Sequence, residues 1–256
     1  MTFAGIKTGR YEVPVVETDL FSGRSERFAT VNLGRGVSND EADPILRDGY
    51  LELRKKVYVE QEGLLKPSVL RGADLEIDEN DKHSTHFIVV ENLEPELSRR
   101  CRGTGRAAIV ACLRLIDNIN NNELPVQTLF GNKGKLKDIS GQQALEVSRF
   151  ISRMSNDLEQ LQVVANLFNT GLADANHRRM QAVYGVIEDD LQAKLHSKYK
   201  VPTKSLTELQ SLEEYNKTKN MAVQIGTRAM TRRIGRDVLE ELRLEPGSRR
   251  YWDLVA

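Results

Sequence analysis

The stretch Ala144-Leu145-Glu146-Val147-Ser148-Arg149-Phe150-Ile151 places two opposite charges inside an otherwise apolar, strand-forming run. Side chains alternate along a strand, so Glu146 and Arg149, three apart, leave by opposite faces of a regular one. Only a bulge or a strand end turns both toward one cleft. A chain built around this stretch therefore needs an irregular strand and charged partners for it elsewhere.

The totals narrow the classes. At 256 residues the chain is longer than one average domain, and one large α/β domain with extensions fits it. Thirty-seven basic and 37 acidic residues cancel, which argues against coating nucleic acid through an overall field. The longest apolar run, Ala107 to Ile116, is interrupted by Arg114. It is far shorter than the roughly 20 residues of a membrane helix, so no membrane span is expected. The start lacks a basic segment followed by an apolar one and reads as no secretory signal. Cys101 and Cys112 lie in such different contexts that a disulfide framework is not expected, and a reducing cytoplasm fits best.

Residues 1–40 alternate short apolar pieces with glycine-rich polar turns and read as an N-terminal extension of edge strands. Asp43 is suited to cap a helix with Pro44 in its first position, and Leu46, Tyr50, Leu53 and Val57 form its apolar stripe. Arg54 and Tyr58, four apart, share one edge of that stripe. Strands follow at Phe87–Val90, Ala107–Ile116 and the opening stretch, with a polar loop from Asn92 to Arg106. Asn156 with Glu159 resembles a capping box before a long amphipathic helix carrying Leu158, Leu161, Ala165, Phe168 and Leu172. Next come a strand over Gln181–Ile187, a short helix over Asp189–Leu195, a strand over Met221–Ile225 and a tail helix over 230–242. The order predicts an α/β fold with a mixed sheet and helices on both faces.

Several polar groups have plain readings. The acidic run Asp74 to Asp81 is not an EF-hand: Glu79 stands where the loop glycine belongs and Thr85 where the bidentate glutamate belongs. His83 and His86 lack a convincing third ligand, so no metal is expected. Cys112 reads as a small core residue, and Gly103-Thr104-Gly105 as a turn.

Arg54 with Tyr58, Asp78-Glu79-Asn80-Asp81, Ala111-Cys112-Leu113-Arg114-Leu115 and Glu146-Val147-Ser148-Arg149-Phe150 occur in the order and approximate spacing of the acyl-homoserine-lactone synthases, and the chain resembles that family over about residues 46–228. The resemblance implies a GCN5-related N-acetyltransferase (GNAT) fold with a mostly antiparallel sheet and a splayed central strand pair. It implies an acyltransferase domain over 41–228 with a C-terminal helical extension over 229–256, and a role in autoinducer synthesis. It further implies that Glu146 acts as general base with Arg149 beside it, and that Arg54, Tyr58, Asp78, Asp81 and Arg114 bind an amine acceptor, with S-adenosylmethionine one candidate.

The donor expected is an acyl-phosphopantetheine thioester on an acyl carrier protein. Ser152-Arg153-Met154-Ser155-Asn156-Asp157 holds no glycine of the kind that cradles the pyrophosphate of coenzyme A. Arg153, Arg178 and Arg179 form one candidate docking patch for the acidic carrier, and Arg99, Arg100, Arg102 and Arg106 another. Where the synthases carry a tryptophan ten residues after the helix arginine, this chain has Leu64. N-acyl amino acid synthases and exosortase-associated acyltransferases accommodate that difference, and a non-catalytic module that binds an acyl chain or carrier protein is the remaining alternative.

Overall fold

The computed structural model describes residues 4–8, 11–24, 26–36, 43–65, 70–71, 75–100, 102–118, 123–131, 134–154, 156–197, 203–212, 215 and 218–225. The tail helix expected over 230–242 lies outside them. By internal contacts the chain forms two compact units, Met1–Arg114 with Arg149–Val163, and Leu115–Ser148 with Val164–Ala256.

In the first unit, β1 (Ala4–Thr8) and β2 (Tyr11–Thr18) form an antiparallel hairpin. β2 also pairs antiparallel with the start of β7 (Gly105–Asp117), from Val15↔Ala108 to Thr18↔Gly105. β3 (Phe28–Arg35) runs antiparallel to β6 (Ser84–Asn92), with a register shift between Asn32 and Gly34. The N-terminal segment thus supplies paired strands, and Val13, Val15, Val16 and Leu33 are buried. Helix α1 (Pro44–Arg54) starts as its sequence predicts: the Asp43 carboxylate accepts the Ile45 and Leu46 amides, and Pro44 needs no acceptor. Leu46, Tyr50, Leu53 and Val57 are all buried, each stabilising the fold by about 1.5–3 kcal/mol relative to exposure.

Gly49 lies on this buried face, where an added Cβ would stand 2.5 Å from Ile109 Cδ1 and 3.0 Å from Val16 Cγ1. The helix backbone thereby sits directly on β2 and β7, at the cost in helix propensity that glycine carries. Beyond Arg54 the helix widens into a π-helical turn, Lys55–Gln61, which carries Tyr58. The short β4 (Leu70–Arg71) and β5 (Leu75–Glu76) pair with each other, and a 3₁₀ turn, Asp81–His83, leads into β6.

The expected polar loop from Asn92 to Arg106 contains a one-and-a-half-turn helix, α2 (Pro95–Arg100). Six residues are too few to show a helical period. What initiates it is Asn92, whose side-chain oxygen accepts the Glu94 amide and the Ser98 hydroxyl.

In the second unit, β8 (Ala144–Ser152) pairs parallel with β9 (Ala182–Glu188) from Ala144↔Ala182 to Val147↔Gly185. β9 runs antiparallel to β12 (Lys219–Ile225), which also carries β10 (Thr203–Ser205) and β11 (Gln210–Ser211). α3 (Pro125–Phe130), α4 (Asp157–His177) and α5 (Asp189–Ser197) complete the elements. The core of this unit joins Ile116, Leu124, Val126, Leu136, Ile139, Ala144, Ala182, Tyr184 and Ala222. β7, β8 and α4 each begin in one unit and end in the other. The fold class is the expected one: α/β with a mostly antiparallel sheet.

Candidate functional site

The first unit contains a buried ionic network built from four separate segments. Arg54, at the end of α1, donates from Nε to Glu76 Oε2, from Nη1 to Asp81 Oδ1 at 2.6 Å and from Nη2 to Asp81 Oδ2 at 3.1 Å. Arg114, on β7, donates from Nη1 to Asp78 Oδ1 at 2.7 Å and Asp81 Oδ1 at 2.9 Å. Arg149, on β8, donates from Nε to Glu76 Oε1 at 3.0 Å and from Nη2 to Asp78 Oδ2 at 2.9 Å. Three guanidiniums thus meet three carboxylates, and the charges cancel.

Backbone geometry serves these contacts. Arg149 has φ +50°, a left-handed conformation that a non-glycine residue adopts only when its surroundings hold it. The holding groups are visible: Cys112 Sγ–H donates to the Arg149 carbonyl at 3.2 Å, Tyr58 Oη–H to the Phe150 carbonyl at 2.9 Å, and the Arg153 amide to the Val110 carbonyl at 2.9 Å. β8 is therefore irregular at Arg149, and an irregularity in this strand is the condition the sequence sets for Glu146 and Arg149 to turn toward one cleft. The Arg149 guanidinium also lies over the Tyr58 ring, 5.5 Å from its centroid. On the acidic loop, Asp78 accepts the Asn80 amide and Asp81 accepts the Asp78 amide, which turns both carboxylates toward the arginines.

Burial grades the network from inside to outside. Arg54, Glu76, Asp81 and Arg114 are at most 2% exposed, whereas the Asp78 side chain is 26% exposed and that of Arg149 11%. Burial alone would raise the carboxyl pKa values. For Asp81 the Arg54 and Arg114 guanidiniums outweigh it and hold the group well below the usual carboxylate range. Arg54 and Arg149 lower Glu76 in the same way, and Arg114 and Arg149 lower Asp78. Burial pushes the Cys112 thiol up to about 12, so it is protonated and serves as a hydrogen-bond donor.

Of the residues expected at the site, Arg54, Asp78, Asp81, Arg114 and Arg149 come together here, with Tyr58 against Arg149. Arg54, Asp81 and Arg114 are sealed from solvent. Glu146 belongs to the second unit, is 2% exposed, and accepts the Val126 amide through Oε2 at 2.8 Å. Arg153 pairs with Glu62 at 3.0 Å, and Arg178 pairs with the fully buried Asp117 at 3.1 Å and with Asp174 at 2.6 Å. Arg179 is exposed, with φ +58°. Arg178 is thereby anchored in its own unit rather than presented as a loose cation.

Three network members escape sequence reading: Glu76, Tyr50 and His86. Glu76 was visible only as one more acid in a run of them. Tyr50 sits in the apolar stripe and reads as core, yet its hydroxyl takes a hydrogen bond from Arg54 Nη1 at 3.0 Å and meets His86 Nδ1 at 2.8 Å. Among the described residues no cluster of His, Cys, Asp and Glu has the arrangement of a metal site.

The sequence profile described as the acetyltransferase (GNAT) domain matches residues 53–155, the stretch that carries Arg54, Tyr58, Glu76, Asp78, Asp81, Arg114, Glu146 and Arg149. The fold is that of the GNAT acyltransferases. BjaI, described as a CoA-dependent acyl-homoserine lactone synthase with SAM and isopentyl-CoA, superposes with a TM-score of 0.57 at 15% identity, over 85% of this chain and 92% of its own. The acyl-homoserine lactone synthase LasI gives 0.56 at 15% identity, over 81% and 93%. FeeM, an N-acyl amino acid synthase from uncultured soil microbes, gives 0.51 at 15% identity, over 80% and 95%. No curated protein sequence matches the chain. At these identities what these proteins share with it is the fold. No helix among the described residues is long and apolar enough to cross a membrane.

Proposed function

We propose that the protein is an N-acyltransferase that moves a fatty acyl group from a phosphopantetheine thioester to the amine of a small amino-acid-like acceptor, in the manner of an acyl-homoserine-lactone synthase. The observation that carries this reading is the neutral network of Arg54, Glu76, Asp78, Asp81, Arg114 and Arg149 on a GNAT fold, grading outward to a partly exposed carboxylate, Asp78, beside an aromatic ring, Tyr58. Buried charge of this density is costly, and a fold that needs only stability gains as much from apolar residues. A carboxylate at the network's rim suits an acceptor ammonium or sulfonium, and Arg149 suits its carboxylate.

In the reaction the acceptor ammonium loses a proton, and its nitrogen attacks the thioester carbonyl. The C–N bond forms, the C–S bond breaks, and the pantetheine thiol leaves with a proton. Glu146 is assigned the role of general base, directly or through water, because it is a carboxylate on the strand that carries Arg149. An acyl carrier protein is the proposed donor, since the segment 152–157 offers no glycine to a coenzyme A pyrophosphate. BjaI, described as CoA-dependent, makes coenzyme A the arm against which this is measured. For the acceptor, S-adenosylmethionine is set against free amino acids. Leu64, where the synthases place tryptophan, favours the N-acyl amino acid version.

The test incubates the protein with acyl carrier thioesters or acyl-CoA and either S-adenosylmethionine or an amino-acid mixture, and analyses products by mass spectrometry. An acyl amide formed faster from the carrier supports the whole reading, one formed only from acyl-CoA replaces the donor, and no amide from any combination rejects it.

A further inference from the structure

Tyr50 and His86 are fully buried, polar and outside the chemistry proposed above. Their rings stand 5.3 Å apart at 59°, and three contacts fix which atom donates to which. His86 Nε2 lies 3.1 Å from the Asp81 carbonyl oxygen, which can only accept, so Nε2 carries the proton. In a neutral ring Nδ1 is then an acceptor, and the Tyr50 O–H, 2.8 Å away, donates to it. The Tyr50 oxygen keeps a lone pair for Arg54 Nη1, at 3.0 Å. The direction of every proton is set from Arg54 to Tyr50, to His86, to the Asp81 backbone.

The chain closes a ring. Arg54 grips the Asp81 carboxylate with two nitrogens while His86 grips the same residue's carbonyl. Asp81 is clamped at both ends, and through it Arg114. Through Arg54 Nε the same clamp reaches Glu76, whose other oxygen holds Arg149. We infer that Tyr50 and His86 are positioning residues, a proton-ordered pair that fixes the Arg54–Asp81 unit and so aims Asp78 and Arg149 at the acceptor. The inference rests on the acyltransferase reading for its kinetic consequence, though not for its hydrogen-bond order. Burial keeps the ring neutral, pushing the imidazole down to about 4 against the pull of Asp81 and with Arg54 and Arg114 nearby, so the order persists across physiological pH.

Two substitutions separate positioning from packing. His86→Gln offers an N–H to the Asp81 carbonyl and an oxygen to the Tyr50 hydroxyl, preserving the order without an aromatic ring. His86→Phe preserves the ring contact and loses both hydrogen bonds. The positioning role predicts that His86→Gln keeps kcat/KM for the acceptor within about threefold of the parent, while His86→Phe loses at least about tenfold with the acyl-donor KM unchanged, a loss of the size expected from unpaired buried partners. The reverse ranking, or equal loss, overturns it. Nitrogen-15 NMR of the imidazole reads the order without any activity. An Nε2–H tautomer that holds from pH 7.5 to 5 in the parent supports the chain. An Nδ1–H tautomer, or a ring that takes up a proton near its ordinary pKa of about 6.5, overturns it even if no acyl amide is ever found.

Discussion

Replacing Glu76 by glutamine tests whether the network is a single charge-balanced unit. The side chain is 1% exposed, and its two oxygens serve different arginines: Oε2 takes Arg54 Nε, and Oε1 takes Arg149 Nε at 3.0 Å and Nη2 at 2.8 Å. Glutamine keeps the shape, removes the charge, and leaves three guanidiniums facing Asp78 and Asp81. Breaking a buried ion pair by neutralising one partner costs about 3–5 kcal/mol. The upper half of that range applies to Arg54, which is fully buried, and the lower half to Arg149, which reaches solvent. Against a total stability of about 5–15 kcal/mol this is a large fraction. With a urea slope of about 3 kcal/mol/M the unfolding midpoint falls by roughly 1–2 M, read by circular dichroism with the slope unchanged. Adding Arg149→Met to Glu76→Gln restores the balance at two cations and two anions, and the double variant is expected to recover part of the loss. A drop below about 1 kcal/mol, the scale of an exposed pair, together with simple additivity, refutes the account of a sealed unit.

Acid should unfold the protein through the same network. The His86 pKa is lowered to about 4 in the fold, so the unfolded chain binds the proton first. Its contribution is complete above the unfolded value of about 6.5 and is lost as pH falls toward 4, by up to about 3 kcal/mol. Glu76, Asp78 and Asp81, also lowered, extend the loss below about pH 4.5, and a flat stability profile from pH 6.5 to 4 contradicts this. Glu146→Gln, which still offers an oxygen to the Val126 amide, should lower kcat/KM by about 10²–10⁴. Turnover within threefold of the parent would remove Glu146 from the base role. Asp78→Asn should raise the acceptor KM about tenfold or more while sparing the acyl-donor KM, and equal effects on both substrates would place Asp78 elsewhere.

Much of this arrangement was written in local sequence. Asp43-Pro44 announces the start of α1 within a residue, and the stripe Leu46, Tyr50, Leu53, Val57 gives its buried face. β6, β7, β8 and β12 appear where apolar runs predicted them, each extended by a residue or more at one or both ends, and β9 appears shifted one residue later than predicted. Five of the six network charges were legible: Arg54, Arg114 and Arg149 as charges in or beside apolar runs, and Asp78 and Asp81 through the resemblance to the acyl-homoserine-lactone synthases. Glu76 was not, since its partners lie 22 and 73 positions away and its neighbours are also acidic. Tyr50 and His86 stayed hidden for a related reason: a tyrosine on an apolar stripe is ordinary core, and only the tertiary fold brings a histidine 36 residues later onto its hydroxyl. The π-helical turn at Lys55–Gln61 has no periodic signature at all, although it sets where Tyr58 points relative to Arg54.

The central claim is amide formation from an acyl thioester. The most direct measurement is mass spectrometry of the products formed by the purified chain with acyl carrier thioester and an amino-acid mixture or S-adenosylmethionine, run beside Glu146→Gln. The account predicts an N-acyl product from the parent chain and a yield lower by at least about a hundredfold from the variant. The absence of any acyl amide, with acyl-CoA substituted for the carrier as well, contradicts it.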